Sequence, residues 1–286
     1  MELYPYWIMD TGQDFYIWTK VDIPANSSKT IYITKKEGNS PNPEQVFIRV
    51  IDGLVGCWHF DEGQGNIAYD SSGNNLHGTI HGTVKWVDGY YGKALEFDGS
   101  STYVEIPAFE LGGPITVCSR AYIYEHRDWQ KLIDFGYEEI VNFSELHIYG
   151  VTLALLQAEP KFYVHNDLSI YVASSNEILN LNTWYFFTGI VDDAKIKLLV
   201  DTQLKAKING PKGGLKTVTM EHNFIGKELA KGIIDEVMIF NKALTEEEIQ
   251  DIYKYGGQGS YSGHLLVGYR RLSNDLQFGQ ITIKEF

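Results

Sequence analysis

Among the residues that could do chemistry, the carboxylates come first. Glycoside hydrolysis needs two of them at a fixed separation on one cleft. Asp235 and Glu236 are adjacent, so on a strand they face opposite sides. Glu246, Glu247 and Glu248 open a helix, where negative charge favours the dipole. His77 and His81 have the i, i+4 spacing of a zinc helix, but Gly78 and Gly82 argue for extended chain. There the two rings stand roughly 13 Å apart and cannot share an ion. The other histidines are scattered and read as ordinary surface or core residues. No G-x-S-x-G elbow, P-loop or dinucleotide fingerprint is present. Hydrolysis and nucleotide chemistry are not supported.

Oxygen ligands are denser. The block FDEGQGNIAYDSSGNN holds Asp61, Glu62, Asp70, Asn74 and Asn75 among glycines. Asp70-x-Ser72-x-Asn74 imitates the opening of an EF-hand loop. The twelfth position is His81 rather than Glu, and no helices flank it, so an EF-hand is rejected. A hard cation held by one or two carboxylates and loop carbonyls remains open beside an Asx-turn at Asp70 and a paired charge at Asp235.

Aromatics are the other unusual resource, with 19 Tyr, 14 Phe and 6 Trp. Such rings suit half-buried strands, and they also suit stacking on sugars. Candidates for a ligand platform are Trp86, Tyr90, Tyr91, Trp129, Tyr137 and Tyr149, each weighed against packing on a neighbouring strand. The formal net charge of −13 works against nucleic acid or an anionic membrane as partner. The opening residues carry Glu2, Asp10 and Asp14 without a basic start, and no apolar run is long enough to insert in a membrane. The abrupt strand-like start suggests a piece of a longer exported chain.

These residues must be positioned by strands. Runs such as KTIYIT, LVGCWHF, PITVCSRAYI, TWYFFTGIV and IIDEVMIF recur between Gly, Asn, Asp and Ser turns. Many short strands with few helices indicate an all-β antiparallel sandwich. One helix is well marked over residues 246–255. Thr245 and Glu248 form a capping box, Ile249, Ile252 and Tyr253 make an apolar stripe, and Gly256 stands at the C-cap. Cys57 and Cys118 fall on candidate strands, where two buried free thiols are commoner than a disulfide.

Four ordered blocks carry a resemblance: residues 53–82, 90–107, 183–193 and 232–256. Together they resemble a laminin-G-like, concanavalin-A-like jelly-roll domain spanning about residues 53–257. The resemblance implies a two-sheet jelly-roll with a short C-terminal helix, and burial of Trp58 and Trp184. It also implies a structural calcium ion bridging the DSSGN loop to the IDEV strand. Asp70 and Asp235 are then the first ligands, with Glu62 and Asn75 next. Glycan-cleaving enzymes of this class carry an E-x-D-x-E or E-x-D-x-x-E run, which is lacking here. Arg120 stands where a Trp is usual, so it implies a repacked face or an ion pair with a carboxylate such as Asp134 or Glu138. Residues 18–47 resemble, more weakly, the end of a β-rich domain of archaeal and bacterial surface proteins. Segments 1–52 and 258–286 are expected to pair in a small β subdomain.

The function these readings imply is a non-catalytic binding or adhesion module of an extracellular, cell-surface or virion protein, recognising glycan or a protein partner. A purely structural surface domain and an accessory domain of a carbohydrate-active enzyme are the alternatives.

Overall fold

The computed structural model describes residues 53–142, 145–228 and 231–255, together with five short strand segments nearer the ends. Those segments are β1 (Tyr6–Asp10), β2 (Phe15–Val21), β3 (Ser28–Tyr32), β22 (Leu265–Leu266) and β23 (Gln280–Lys284). β2 pairs antiparallel with β1 and β22, and β3 pairs antiparallel with β23. N- and C-terminal segments are therefore hydrogen-bonded to one another.

The main body opens with β4 (Leu54–Trp58), β5 (Ile67–Ala68), β6 (Gly78–His81), β7 (Lys85–Asp88), β8 (Lys93–Asp98) and β9 (Tyr103–Glu105). Then follow β10 (Phe109–Gly113), β11 (Ile115–Ile123), β12 (Gln130–Asn142), β13 (Glu145–Leu156), β14 (Glu159–Asp167) and β15 (Ser169–Ser174). The last are β16 (Trp184–Val191), β17 (Lys195–Val200), β18 (Gln203–Asn209), β19 (Leu215–Met220), β20 (His222–Ile225), β21 (Lys231–Phe240) and helix α1 (Glu246–Tyr255).

Two eight-stranded antiparallel sheets result, as the strand-rich sequence predicts. One runs β18-β17-β16-β11-β21-β8-β7, with β4 also on β21; the other runs β15-β14-β13-β12-β20-β9-β6-β5. Alternation along each strand sends one set of side chains inward. Val117, Phe187 and Ile234 of the first sheet meet Phe135, Val151 and Phe162 of the second in the main core. Trp58 is fully buried there, and its indole donates to the Leu76 carbonyl at 2.9 Å, pinning the glycine-rich loop.

A smaller core lies between the outer face of the first sheet and α1, where Phe186, Met238 and Phe240 meet Ile249 and Ile252. Both ends of α1 are capped. The Thr245 amide donates to Glu248 at 2.8 Å and the Glu248 amide to the Thr245 hydroxyl at 3.2 Å, the expected capping box. At the other end the Arg120 guanidinium donates to the Tyr253 carbonyl, and the Tyr91 hydroxyl donates to Lys254 O at 2.9 Å. Cationic and hydroxyl donors there suit the carbonyl end of the helix dipole.

Two local expectations change, and the preference for free cysteines holds. Trp184 is only half-buried, because it lies on the outer face in edge contact with Tyr90 and Tyr122. Arg120 does not pair with Asp134 or Glu138, which belong to the opposite sheet; its guanidinium lies 3.9 Å from the Tyr90 ring centroid and packs on Phe186 and Tyr253. Cys57 and Cys118 are both free and buried, and β21 runs between their strands. Two strand spacings, roughly 9–10 Å, exceed what a disulfide can bridge.

Candidate functional site

The glycine-rich block expected to hold calcium is held by protein donors. Asp70 is fully buried, and its Oδ1 accepts the amides of Cys57 and Ser72 at 2.9 Å. Its Oδ2 accepts the Ser72 hydroxyl at 2.8 Å and the Leu76 amide at 3.0 Å. All lone-pair positions of that carboxylate are engaged, so Asp70 does not fit a cation ligand. The Ser72 bond is the Asx-turn that the sequence left open as the alternative.

Asp235 is different. Oδ2 accepts the Tyr90 and Tyr91 amides at 2.8 and 3.2 Å, while Oδ1 is buried without a hydrogen bond. Burial, then the neighbouring charges of Glu236 and Asp61, push its pKa well above the ordinary range. Glu62 accepts the Tyr69 amide through Oε1 at 2.7 Å and leaves Oε2 buried without a partner. Asn75 is exposed in the left-handed region at φ 58°. Among the described residues, no three His, Cys, Asp or Glu side chains are gathered in a group able to hold a metal ion.

Beside Asp235 lies an arrangement that the sequence did not reveal. The Cys57 thiol is 3.4 Å from His59 Nε2, and His59 Nδ1 is 2.9 Å from Glu236 Oε1. Thiol, imidazole and carboxylate stand in the order of an activated cysteine nucleophile. All three are buried, however, and burial pushes the thiol pKa up rather than down. Burial opposes charging of His59, but Cys57 and Glu236 outweigh it and hold the imidazole pKa well above its usual value. Burial also lifts Asp61 to about 8 and Glu62 to about 7. Without access for a substrate, this chain is a structural polar network.

An open groove lies elsewhere among the described residues. A cavity of about 440 Å³ lies on the outer face of the second sheet, over β12, β13 and β14. Inward alternation of Phe135, Val151 and Val164 sends Asp134, Thr152, Tyr163 and His165 outward to line it. Its floor is low because Gly136 and Gly150 are directly paired across β12 and β13. Gly150 is obligatory: at φ 155° a Cβ would come within 2.3 Å of the Phe135 carbonyl oxygen.

Trp129 forms one wall. Its side chain is 47% exposed, and its ring lies 5.2 Å from that of Tyr163 at an interplanar angle of 35°. Its backbone sits at φ 54°, a conformation costly for a bulky residue. Lys131 lies between Asp134 at 2.8 Å and Glu228 at 2.9 Å, and the Thr152 hydroxyl donates to Asp134 at 2.7 Å. Burial and the Lys131 ammonium lower the His165 pKa, against the pull of Asp134.

Of the six aromatic candidates, only Trp129 presents an exposed ring to this groove. Tyr137 and Tyr149 border it by position; Tyr137 is half-buried against the main core. Tyr149 is buried, with its hydroxyl 3.1 Å from Asp167. Trp86 is half-buried and donates to the Gly65 carbonyl at 3.2 Å. Tyr90 is exposed but covers Arg120 on the first sheet, and Tyr91 caps α1. Sequence reasoning missed Tyr163, His165 and the glycine pair. Their signal is period-two alternation, which puts Asp134, Gly136 and Glu138 on one face.

Comparisons with known proteins follow the same fold. Domain 4 of AbnA, an extracellular arabinanase from Geobacillus stearothermophilus solved with arabinotriose, is 19% identical with a TM-score of 0.55, over 70% of this chain and 98% of that one. The botulinum neurotoxin serotype G binding domain is 11% identical with a TM-score of 0.53, and the match covers 70% of this chain and 50% of that one. A Trypanosoma rangeli sialidase, solved as a covalent intermediate with difluorosialic acid, is 12% identical with a TM-score of 0.54, over 84% and 43% of the two chains. At these identities the likeness is one of fold. No curated protein sequence matches the chain. The profile of the concanavalin A-like lectin/glucanases superfamily matches residues 98–250, more than half of the sequence. With its two-sheet sandwich and capped helix, the chain belongs to that superfamily.

Proposed function

We propose that the protein is a non-catalytic carbohydrate-binding module whose ligand lies in the groove over β12–β14. The observation that carries this is Trp129, exposed and held at φ 54° against Tyr163, above a floor emptied by the Gly136–Gly150 pair. Strain at a bulky exposed residue marks a position kept for function rather than stability. An aromatic wall with a few polar groups is also the chemistry of a sugar site.

A catalytic reading has less support. Asp134 and Glu138 share one face of β12 but stand four residues apart, roughly 13 Å along a strand. Glycosidases place their carboxyl groups about 5–5.5 or 6.5–9.5 Å apart. Asp134 is also engaged by Lys131 and Thr152. The arabinanase neighbour, whose domain 4 was solved with arabinotriose, supports an accessory role within a secreted carbohydrate-active or surface protein. No described helix is long and apolar enough to cross a membrane.

Calcium is not required by this reading, since Asp70 already organises its loop. The thermal midpoint is expected to be the same in calcium as in magnesium, and a calcium-specific rise would restore the cation site. The binding proposal is tested by calorimetric titration with neutral oligosaccharides, arabinotriose included. Binding by the native protein and its loss in Trp129→Ala are expected; binding indifferent to Trp129 would refute the location.

A further inference from the structure

The groove has a charge pattern that bears on which sugars it accepts, an inference that rests on the glycan reading above. Its lining holds one cation, Lys131, against three carboxylates, Asp134, Glu138 and Glu228. Lys131 is already spent between Asp134 and Glu228. Glu138 is exposed and has no ion-pair partner among the described residues. Two histidines line the groove: His165, whose buried Nδ1 has no hydrogen bond, and His222, exposed on β20 opposite Gly136. Lys131 apart, the lining has no lysine or arginine to neutralise an incoming anion, and carboxylates can only accept hydrogen bonds. Sugar hydroxyls supply the donor that Glu138 lacks; a carboxylate or sulfate brings a like charge and no donor. The whole chain, at −13, repels anions in the same sense.

We propose that the groove selects uncharged oligosaccharides and rejects sugars bearing carboxylate or sulfate groups. Trp129 and Tyr163 supply the stacking face, and Glu138 accepts hydroxyl hydrogen bonds along the sugar edge. Rejection of an anionic counterpart is expected to be at least about tenfold, and to shrink as salt is added.

The test is a glycan array carrying neutral, sialylated, sulfated and uronate-bearing sugars, followed by calorimetry on two matched pairs. The pairs are lactose with sialyllactose and arabinotriose with trigalacturonate. The expected result is binding confined to neutral sugars, lost in Trp129→Ala. Glu138→Lys should raise the affinity for sialyllactose or trigalacturonate by about tenfold. Anionic sugars binding as tightly as their neutral partners, with loss in Trp129→Ala, would overturn the charge inference and leave the groove reading intact. Binding unaffected by Trp129→Ala, or no binding on the whole array, would overturn both.

Discussion

Trp129 sets stability against binding, and two substitutions separate those effects. An L-residue in the left-handed region costs about 1–2 kcal/mol, and glycine escapes that cost. Trp129 stands at φ 54°, so Trp129→Ala keeps the strain while Trp129→Gly removes it. Both lose the contact with Tyr163, which is worth about 0.5–1.5 kcal/mol. Glycine adds about 0.5–1 kcal/mol of chain entropy to the unfolded state. Trp129→Ala should therefore be destabilised by about 1 kcal/mol, and Trp129→Gly by close to nothing. In a body of this size, the glycine variant should melt about 1–4 °C above the alanine variant. Both should lose sugar binding by about 30-fold, the behaviour of an aromatic anchor. Urea unfolding and calorimetric titration on the same preparations measure the two quantities. An alanine variant as stable as the glycine variant would show that the wall is unstrained, and retained binding in either would refute its role.

Other consequences follow from the buried groups. Asp61 at about 8 and Glu62 at about 7 stand above their unfolded values, and Asp235 and His59 are also raised. In the folded state each keeps a proton that the unfolded chain releases sooner, so stability falls as pH rises. Asp61 and Glu62 act from about pH 4 to 8, and His59 above about 6.5. The thermal midpoint should thus be lower at pH 9 than at pH 5, and Asp61→Asn should flatten the profile; a midpoint rising over that range contradicts the assignment. Arg120→Ala strips the cap from α1 and empties a space between Tyr90 and Phe186. A loss of about 2–4 kcal/mol in urea unfolding is expected, and a loss below about 1 would mean the guanidinium is dispensable. Gly136→Val tests the groove floor, because a Cβ there meets only the Tyr149 carbonyl at an ordinary 3.4 Å. The fold should survive with an unchanged circular dichroism spectrum while sugar titration shows no binding; full binding would move the ligand elsewhere.

The architecture was legible because it rests on local rules. Alternation and turn residues specify the strands, and Thr245 and Glu248 announce the helix that their mutual hydrogen bonds then cap. The groove was not legible, because it is made by pairing. Gly136 and Gly150 are unremarkable until register sets them side by side, and Trp129 meets Tyr163 across strands that lie far apart in sequence. The aromatic candidates divided for the same reason. Position along the chain does not show which sheet face a ring will occupy, so Tyr90 ended over Arg120 and Tyr149 under the groove. Asp70 is the converse case. A carboxylate among glycines reads equally as a cation ligand or as an acceptor for its own loop, and only the four donors around it decide.

The most direct test is a nuclear magnetic resonance titration of the native protein with arabinotriose and other neutral oligosaccharides, following backbone amides and indole N–H signals. A sugar lying in the groove should shift the Trp129 indole and the Gly136 and Gly150 amides together. Shifts confined to the Tyr90–Trp184 face of the first sheet, or no shift with any sugar, would contradict the account.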